Sequence, residues 1–333
     1  MKIFASCNMP AHWVERFSDE FEFDFHDWGA TKTLLPQAQL IRRLQSCQIL
    51  ITEFDEVTAE VIEQLPDLIA IVDCRGNPVN IDIEAATRHN IIVMNTPGRN
   101  AVAVAEMTVA LMVFIARGFV PAIKEVESGE WVRQGFKPFY LNHFGDEVAN
   151  TTVGLVGLGA VARQVIQRLQ GFKVRLLAYD PFITHEQVNV LGAERVELDE
   201  LLQQSDFVSL HAPITPQTTG MIGSREFDLM KSSAYLINTA RAVLVDETAL
   251  IDALVGHKIA GAGLDVFHEE PLPSDYPLLG NPNVIAIPHL GGATNQIPYH
   301  HSEIAFNNIQ QLLNRSPINV VNPDVVEQSI LRL

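Results

Sequence analysis

The chain is 333 residues long, 47% apolar, and carries a formal net charge of -17 at neutral pH. That length exceeds what one hydrophobic core usually organises, so two domains are expected. The net charge repels polyanions and no run of Lys or Arg overrides it locally, which speaks against nucleic-acid binding but leaves a small anionic ligand open to a few well-placed guanidinium groups.

Residues 1–6, Met-Lys-Ile-Phe-Ala-Ser, read as a first strand and lack the basic start, long apolar stretch and cleavage site of a secretory signal. Apolar runs at 3–5, 21–25, 49–52, 68–72 and 91–94 alternate with helical stretches, the pattern of a parallel sheet with crossover helices. Such sheets place their ligand crevice beyond the carboxyl ends of the strands. Segments after Ala5, Thr52 and Val72 are therefore candidate edges, among them Cys74-Arg75-Gly76-Asn77-Pro78. Cys7, Cys47 and Cys74 are too few and too scattered for a disulfide framework or a metal cage, and are read as reduced thiols.

A turn cluster at 95–100 opens a long apolar helix, which places the domain crossing near residue 100. The run 101–120 carries Glu106 and Arg117, so no membrane span is expected, and a cytoplasmic location follows. A helix apolar almost all round must be covered on several sides, by its own domain or by a second copy of the chain, and a homodimer is predicted. Glu106 within it calls for an arginine partner. Residues 121–150 read as less regular, an arm or lid holding Trp131, Phe136, Phe139, Tyr140 and Phe144.

A second alternating series runs through 153–156, 174–179, 207–210, 234–238, 261–265 and 284–287, six strands that suit a doubly wound nucleotide fold. A helix over 300–313 leads to the tail Pro-Ile-Asn-Val-Val-Asn-Pro, which has no partner in this series and is expected to return to the first domain. The predicted class is α/β with two doubly wound parallel-sheet domains. A Rossmann domain at 100–297 is inserted in a flavodoxin-like domain formed by 1–99 and 298–333.

Gly157-Leu-Gly159-Ala160-Val161-Ala162 lies between a predicted strand and helix and nearly matches the dinucleotide fingerprint, with Ala162 where a third glycine often stands. Glycines there let backbone N–H groups and a helix N-terminus approach a pyrophosphate, while Ala162 faces helix packing. Asp180, about twenty residues on, is placed to accept from ribose hydroxyls and to repel a 2′-phosphate, favouring NAD over NADP. An Asp before Pro181 also fits a turn.

Three later strand ends carry complementary chemistry: Asn238-Thr239-Ala240-Arg241, Asp265 through Glu270-Pro271, and Pro288-His289-Leu290-Gly291-Gly292. An arginine clamps a carboxylate with paired hydrogen bonds, an imidazole moves a proton to or from a carbonyl oxygen, and a neighbouring carboxylate orients that imidazole. His300 and His301 are adjacent on a helix and point in different directions with no further ligand at metal spacing, so no metal is expected.

These segments resemble the D-isomer-specific 2-hydroxyacid dehydrogenase family over nearly the whole chain. The resemblance runs through Asn95 to Glu106, Val208 to Thr218, Ile237 to Arg241, Leu264 to Pro271 and Pro288 to Gly292. It implies an NAD-dependent oxidoreductase acting on a small 2-hydroxy or 2-oxo acid. Arg241 would hold the substrate carboxylate, with His289 as acid/base and Glu270 as its partner. Asp265 would contact the nicotinamide amide, with Pro213, Thr218, Thr239, Ala240 and Gly292 beside the cofactor and His211 packing near it. It further implies a homodimer built on the helix after Asn100 and a substrate loop at 74–79 including Arg75 and Gly76; hinges are expected where the chain crosses between domains at turn residues, near Arg99-Asn100 and Ile297-Pro298. The chain departs from the family pattern at Ala149-Asn150-Thr151-Thr152 and in that loop, where Arg75 and Pro78 stand. Arg75 as a second anion contact would suit a phosphorylated or dicarboxylic substrate. The resemblance leaves open a phosphoglycerate dehydrogenase, a glyoxylate or hydroxypyruvate reductase, or, from another class, an NAD(H)-sensing corepressor-like binder.

Overall fold

The computed structural model describes residues 1–332. They form two compact units, residues 1–99 with 294–332, and Asn100–Ala293. In the first unit β1 (Lys2–Ser6), β2 (Glu22–His26), β3 (Ile49–Thr52), β4 (Ala70–Asp73) and β5 (Ile92–Met94) form one parallel sheet in the order β2-β1-β3-β4-β5. This is the flavodoxin-like winding. Both faces are covered, so Ile, Val and Leu fill the central strands without polar alternation. Ile3, Ile51 and Val72 pack on one face, Phe4, Leu50 and Ile71 on the other.

The chain re-enters this unit four residues before the expected position 298. Ile297 is buried, its N–H bonds to Thr294 O, and it opens a helix running Ile297–Leu313, three residues earlier than its polar start suggests. The tail after that helix lies along β5. Val320 bridges Met94 antiparallel, Val321 N–H donates to Val93 O at 2.8 Å, and Asn322 Oδ1 accepts from Val93 N–H at 2.8 Å. An edge strand is thereby covered.

The second unit has seven parallel strands, β6 (Thr152–Val156), β7 (Arg175–Tyr179), β8 (Glu194–Arg195), β9 (Phe207–Leu210), β10 (Tyr235–Asn238), β11 (Gly261–Leu264) and β12 (Val284–Ala286), in the order β12-β11-β10-β9-β6-β7-β8. The winding direction reverses between β6 and β9, and in such sheets that is where a ligand crevice opens. One strand exceeds the expected six. β8 is a two-residue polar edge paired only to Leu177 and Ala178, too short to leave an apolar signature.

The long apolar helix spans Ala101–Ala116 and packs against the helix Ala160–Leu169 and against β10, β11 and β12. Leu111 lies so close to Gly263 that a Cβ there would come within 3.1 Å of it. Glu106 does meet an arginine, Arg168 at 3.1 Å, but the pair is at the surface and not buried. Residues 121–150 are more regular than expected. They carry most of the helix Phe119–Glu127 and the helices Glu130–Gln134 and Phe136–Asn142; Gly118 precedes the first and Gly129 and Gly135 part the three, each at positive φ where other residues are strained. Among the described residues no single helix is long and apolar enough to cross a membrane.

Candidate active site

The fingerprint glycines lie where β6 turns into the helix Ala160–Leu169. Gly157 has φ +87°, and a Cβ on it would stand 2.7 Å from Ala212 N, so this turn admits only glycine. A Cβ on Gly159 would meet nothing within 4 Å, which leaves open space above the helix N-terminus where Ala160 and Val161 begin the first turn. Ala162 is fully buried against the core, as expected of a packing position. Asp180 Oδ2 accepts from Leu158 N–H at 2.9 Å and Oδ1 from Phe182 N–H at 2.9 Å. Its carboxylate thus braces the fingerprint turn and serves the turn after β7, keeping one further lone pair on each oxygen.

A cavity of about 510 Å³ opens here, lined by Gly157, Gly159, Asp180, His211, Pro213 and Thr218 among others. Thr218 Oγ1 donates to Pro213 O at 2.6 Å and holds that wall together. His211 Nε2 lies 2.9 Å from Ser209 Oγ, and burial pushes the ring's pKa down to about 4, so it is neutral. A glycine-only turn, an open helix N-terminus and a carboxylate directly after β7 fit the chemistry of a dinucleotide.

The other predicted residues of this unit converge beyond β10, β11 and β12. Asn238 closes β10 by bonding both ends of its own turn: Nδ2 donates to Arg241 O at 3.0 Å and Oδ1 accepts from Ala240 N–H at 3.1 Å. Arg241 leaves this turn exposed, with one guanidinium N–H on Ala240 O at 2.6 Å. Asp265, almost fully buried, accepts from Leu290 N–H at 2.7 Å and Gly291 N–H at 2.8 Å. Burial raises its pKa against these two bonds, which lower it. A Cβ on Gly292 would reach 3.0 Å from Asn100 Nδ2.

His289 stands between these groups with φ +51°, a left-handed conformation held by its surroundings. Its Nδ1 is 2.7 Å from Glu270 Oε2, while Glu270 Oε1 accepts from Phe267 N–H at 3.0 Å. Burial raises the Glu270 pKa, but the bonds from His289 and Phe267 and the charge of Arg241 outweigh it and leave the carboxyl below its ordinary value. The carboxylate therefore stays ionised beside the imidazole, and the ring's Nε2 is the atom left for a ligand. The fold brings the three predicted residues together: Glu270 bonds His289, and the charge of Arg241 acts on Glu270. The bracing of the Arg241 turn by the Asn238 amide and the contact of Thr108 Oγ1 with Thr239 Oγ1 at 2.8 Å were not anticipated; Thr108, a polar residue in an apolar helix, was the available signal.

Arg75 and Gly76 belong to the first unit, on the loop after β4. The Arg75 guanidinium lies over the Phe54 ring at 5.4 Å, and Gly76 O accepts from Asn95 Nδ2 at 2.8 Å. The reading of the cysteines as scattered needs correction. The fold brings Cys7, after β1, and Cys74, after β4, together with His301, their ligand atoms all within 4.8 Å and all three residues buried. Separation along the chain concealed this, because β1 and β4 are two places apart in one sheet. The imidazole is already engaged: His301 Nε2 lies 2.6 Å from Asn8 O, and Arg99 Nη1 bridges His301 Nδ1 at 3.3 Å and Glu53 Oε1 at 3.0 Å.

Comparison with known proteins places this geometry. Residues 109–291 match the family model described as D-isomer specific 2-hydroxyacid dehydrogenase, NAD binding domain. A glyoxylate reductase of Korarchaeum cryptofilum is 36% identical over 330 residues, 98% of this chain and 97% of that protein. A D-3-phosphoglycerate dehydrogenase of Methanocaldococcus jannaschii is 37% identical over 305 residues, 90% of this chain but only 57% of that protein. The NAD-complexed structure of a D-isomer specific 2-hydroxyacid dehydrogenase from Lactobacillus delbrueckii ssp. bulgaricus superposes with a TM-score of 0.82 at 27% identity, covering 97% of this chain and 100% of that one.

Proposed function

The chain belongs to the D-isomer-specific 2-hydroxyacid dehydrogenase family, and from that premise we propose that Arg241, Glu270 and His289 interconvert a small 2-oxo acid and its D-2-hydroxy acid. NAD is the cofactor, and when bound it supplies or accepts the hydride. The observation that carries the reading is the 2.7 Å bond between His289 Nδ1 and Glu270 Oε2, one strand end away from an exposed guanidinium. That bond orients the ring, directs Nε2 away from Glu270, and favours the imidazolium that gives its proton to the substrate's carbonyl oxygen. Arg241 holds the substrate carboxylate through the N–H groups not spent on Ala240 O. In the reverse direction His289 takes the hydroxyl proton and Glu270 stabilises the charge that results.

Both glyoxylate reductases and phosphoglycerate dehydrogenases are among the relatives, and the full-length match to the former makes an unphosphorylated 2-oxo acid the first substrate to try. Arg75 is proposed as a second anion contact. If Arg75→Ala leaves the ratio of Michaelis constants for phosphorylated and unphosphorylated acids unchanged, that role is lost. The homodimer is also proposed, on the helix Ala101–Ala116 and the segment after it, where Phe114, Val132, Phe136 and Phe144 stay exposed. The test of the whole reading is NADH oxidation against glyoxylate, hydroxypyruvate, phosphohydroxypyruvate, pyruvate and 2-oxoglutarate, with Arg241→Ala as the blank. Turnover abolished in the variant is expected. Absence of turnover with every acid would overturn it.

A further inference from the structure

The helix Ala101–Ala116 meets the catalytic turns through one face. Its N-cap Asn100, with Val104 and Thr108, stands at i, i+4 and i+8, and so the three share a stripe. Each meets a different residue at the strand ends. A Cβ on Gly292 would lie 3.0 Å from Asn100 Nδ2, one on Gly291 would lie 3.7 Å from Val104 Cγ2, and Thr108 Oγ1 is 2.8 Å from Thr239 Oγ1.

This last contact has a direction. Thr108 gives its single hydroxyl proton to Val104 O at 2.8 Å, so it accepts from Thr239, which donates. Both threonines are buried, at 0% and 6% exposure, where a hydroxyl needs a partner. Thr239 spends its proton on the helix and is left with lone pairs only. It sits inside the Asn238–Arg241 turn, whose other brace is the Asn238 amide.

We infer that Thr108 is a positioning residue for the reaction: it orients the hydroxyl of Thr239, which the family resemblance implies borders NAD, and, through the same turn, sets the Arg241 guanidinium. The inference deepens the proposed function and rests on it. Thr108 is fully buried and its hydroxyl meets only Val104 O and Thr239 Oγ1, so its effect passes through Thr239 and should vanish when Thr239 has no hydroxyl.

The experiment is a double-mutant cycle with Thr108→Val, Thr239→Val and the pair, together with Thr108→Ser, reading kcat, KM for the best oxo acid, NADH affinity by fluorescence, and Tm. Thr108→Val should lower kcat/KM by about tenfold, mainly through KM for the oxo acid. Thr108→Ser should stay within about twofold of the wild type, and the double variant should be no worse than Thr239→Val. Should Thr108→Val fail to fold, Thr108→Ala takes its place in the cycle. Wild-type kcat/KM in Thr108→Val, equal impairment in Thr108→Ser, or losses that multiply in the pair would each overturn the inference. A wild type that reduces no oxo acid removes the reaction reading instead. The inference is then judged on NADH affinity, which Thr108→Val must weaken only while Thr239 is present.

Discussion

Asp265 and Gly291 are built for each other: the carboxylate accepts the Gly291 N–H at 2.8 Å, and a Cβ on Gly291 would stand 2.5 Å from the same Asp265 Oδ2. Leu290 N–H bonds the other oxygen, so one buried carboxylate fixes the backbone directly after His289. Gly291→Ala must push that carboxylate aside. It is expected to cost about 1–3 kcal/mol of stability and a larger fraction of kcat. Thermal melting alongside turnover checks this, and a variant equal to wild type in both would show that the segment yields freely.

Removing the charge from the His289 partner should shift the pH profile in a definite direction. Glu270 lies below its ordinary pKa and stays ionised through neutrality, where its charge favours the imidazolium. In Glu270→Gln, reduction should fade at lower pH than in the wild type, with kcat at neutral pH down by roughly tenfold or more. An unmoved profile would remove Glu270 from proton transfer.

His211 predicts an acid sensitivity of stability. Its pKa falls from about 6.5 in the unfolded chain to about 4 in the fold because the ring is buried. The unfolded state therefore binds more protons between these values, so the contribution is full above pH ~6.5 and is lost as pH falls towards ~4. His211→Asn should make the decline of Tm across that window shallower. A slope identical to wild type would contradict the assignment.

Asp180 has two duties that substitution can separate. Asp180→Asn keeps an acceptor for Leu158 N–H but loses the charge, so NADPH should gain on NADH by roughly tenfold in KM ratio while the fold holds. Asp180→Ala loses both and should weaken the two cofactors together. Unchanged NADH and NADPH constants in both variants would leave Asp180 as a turn residue only.

Much of this chemistry is local in the chain and therefore legible in it. The Gly157–Gly159 turn sits between an apolar strand and an amphipathic helix, and Arg241, Glu270 and His289 each follow an apolar run that reads as a strand of the same parallel sheet. Periodicity and strand-end position place them on one edge, because parallel sheets gather the ends of their strands. What needed the tertiary structure was contact between distant segments and the direction of hydrogen bonds. The meeting of Cys7, Cys74 and His301, the left-handed backbone at His289, the edge strand Glu194–Arg195 and the Thr108–Thr239 pair leave no periodic trace. The sequence by itself determined two parallel α/β units and the residue types needed to move a proton and hold an anion. The tertiary structure decided how those residues are held, since orientation depends on which buried partners accept or donate, and those partners lie far away along the chain.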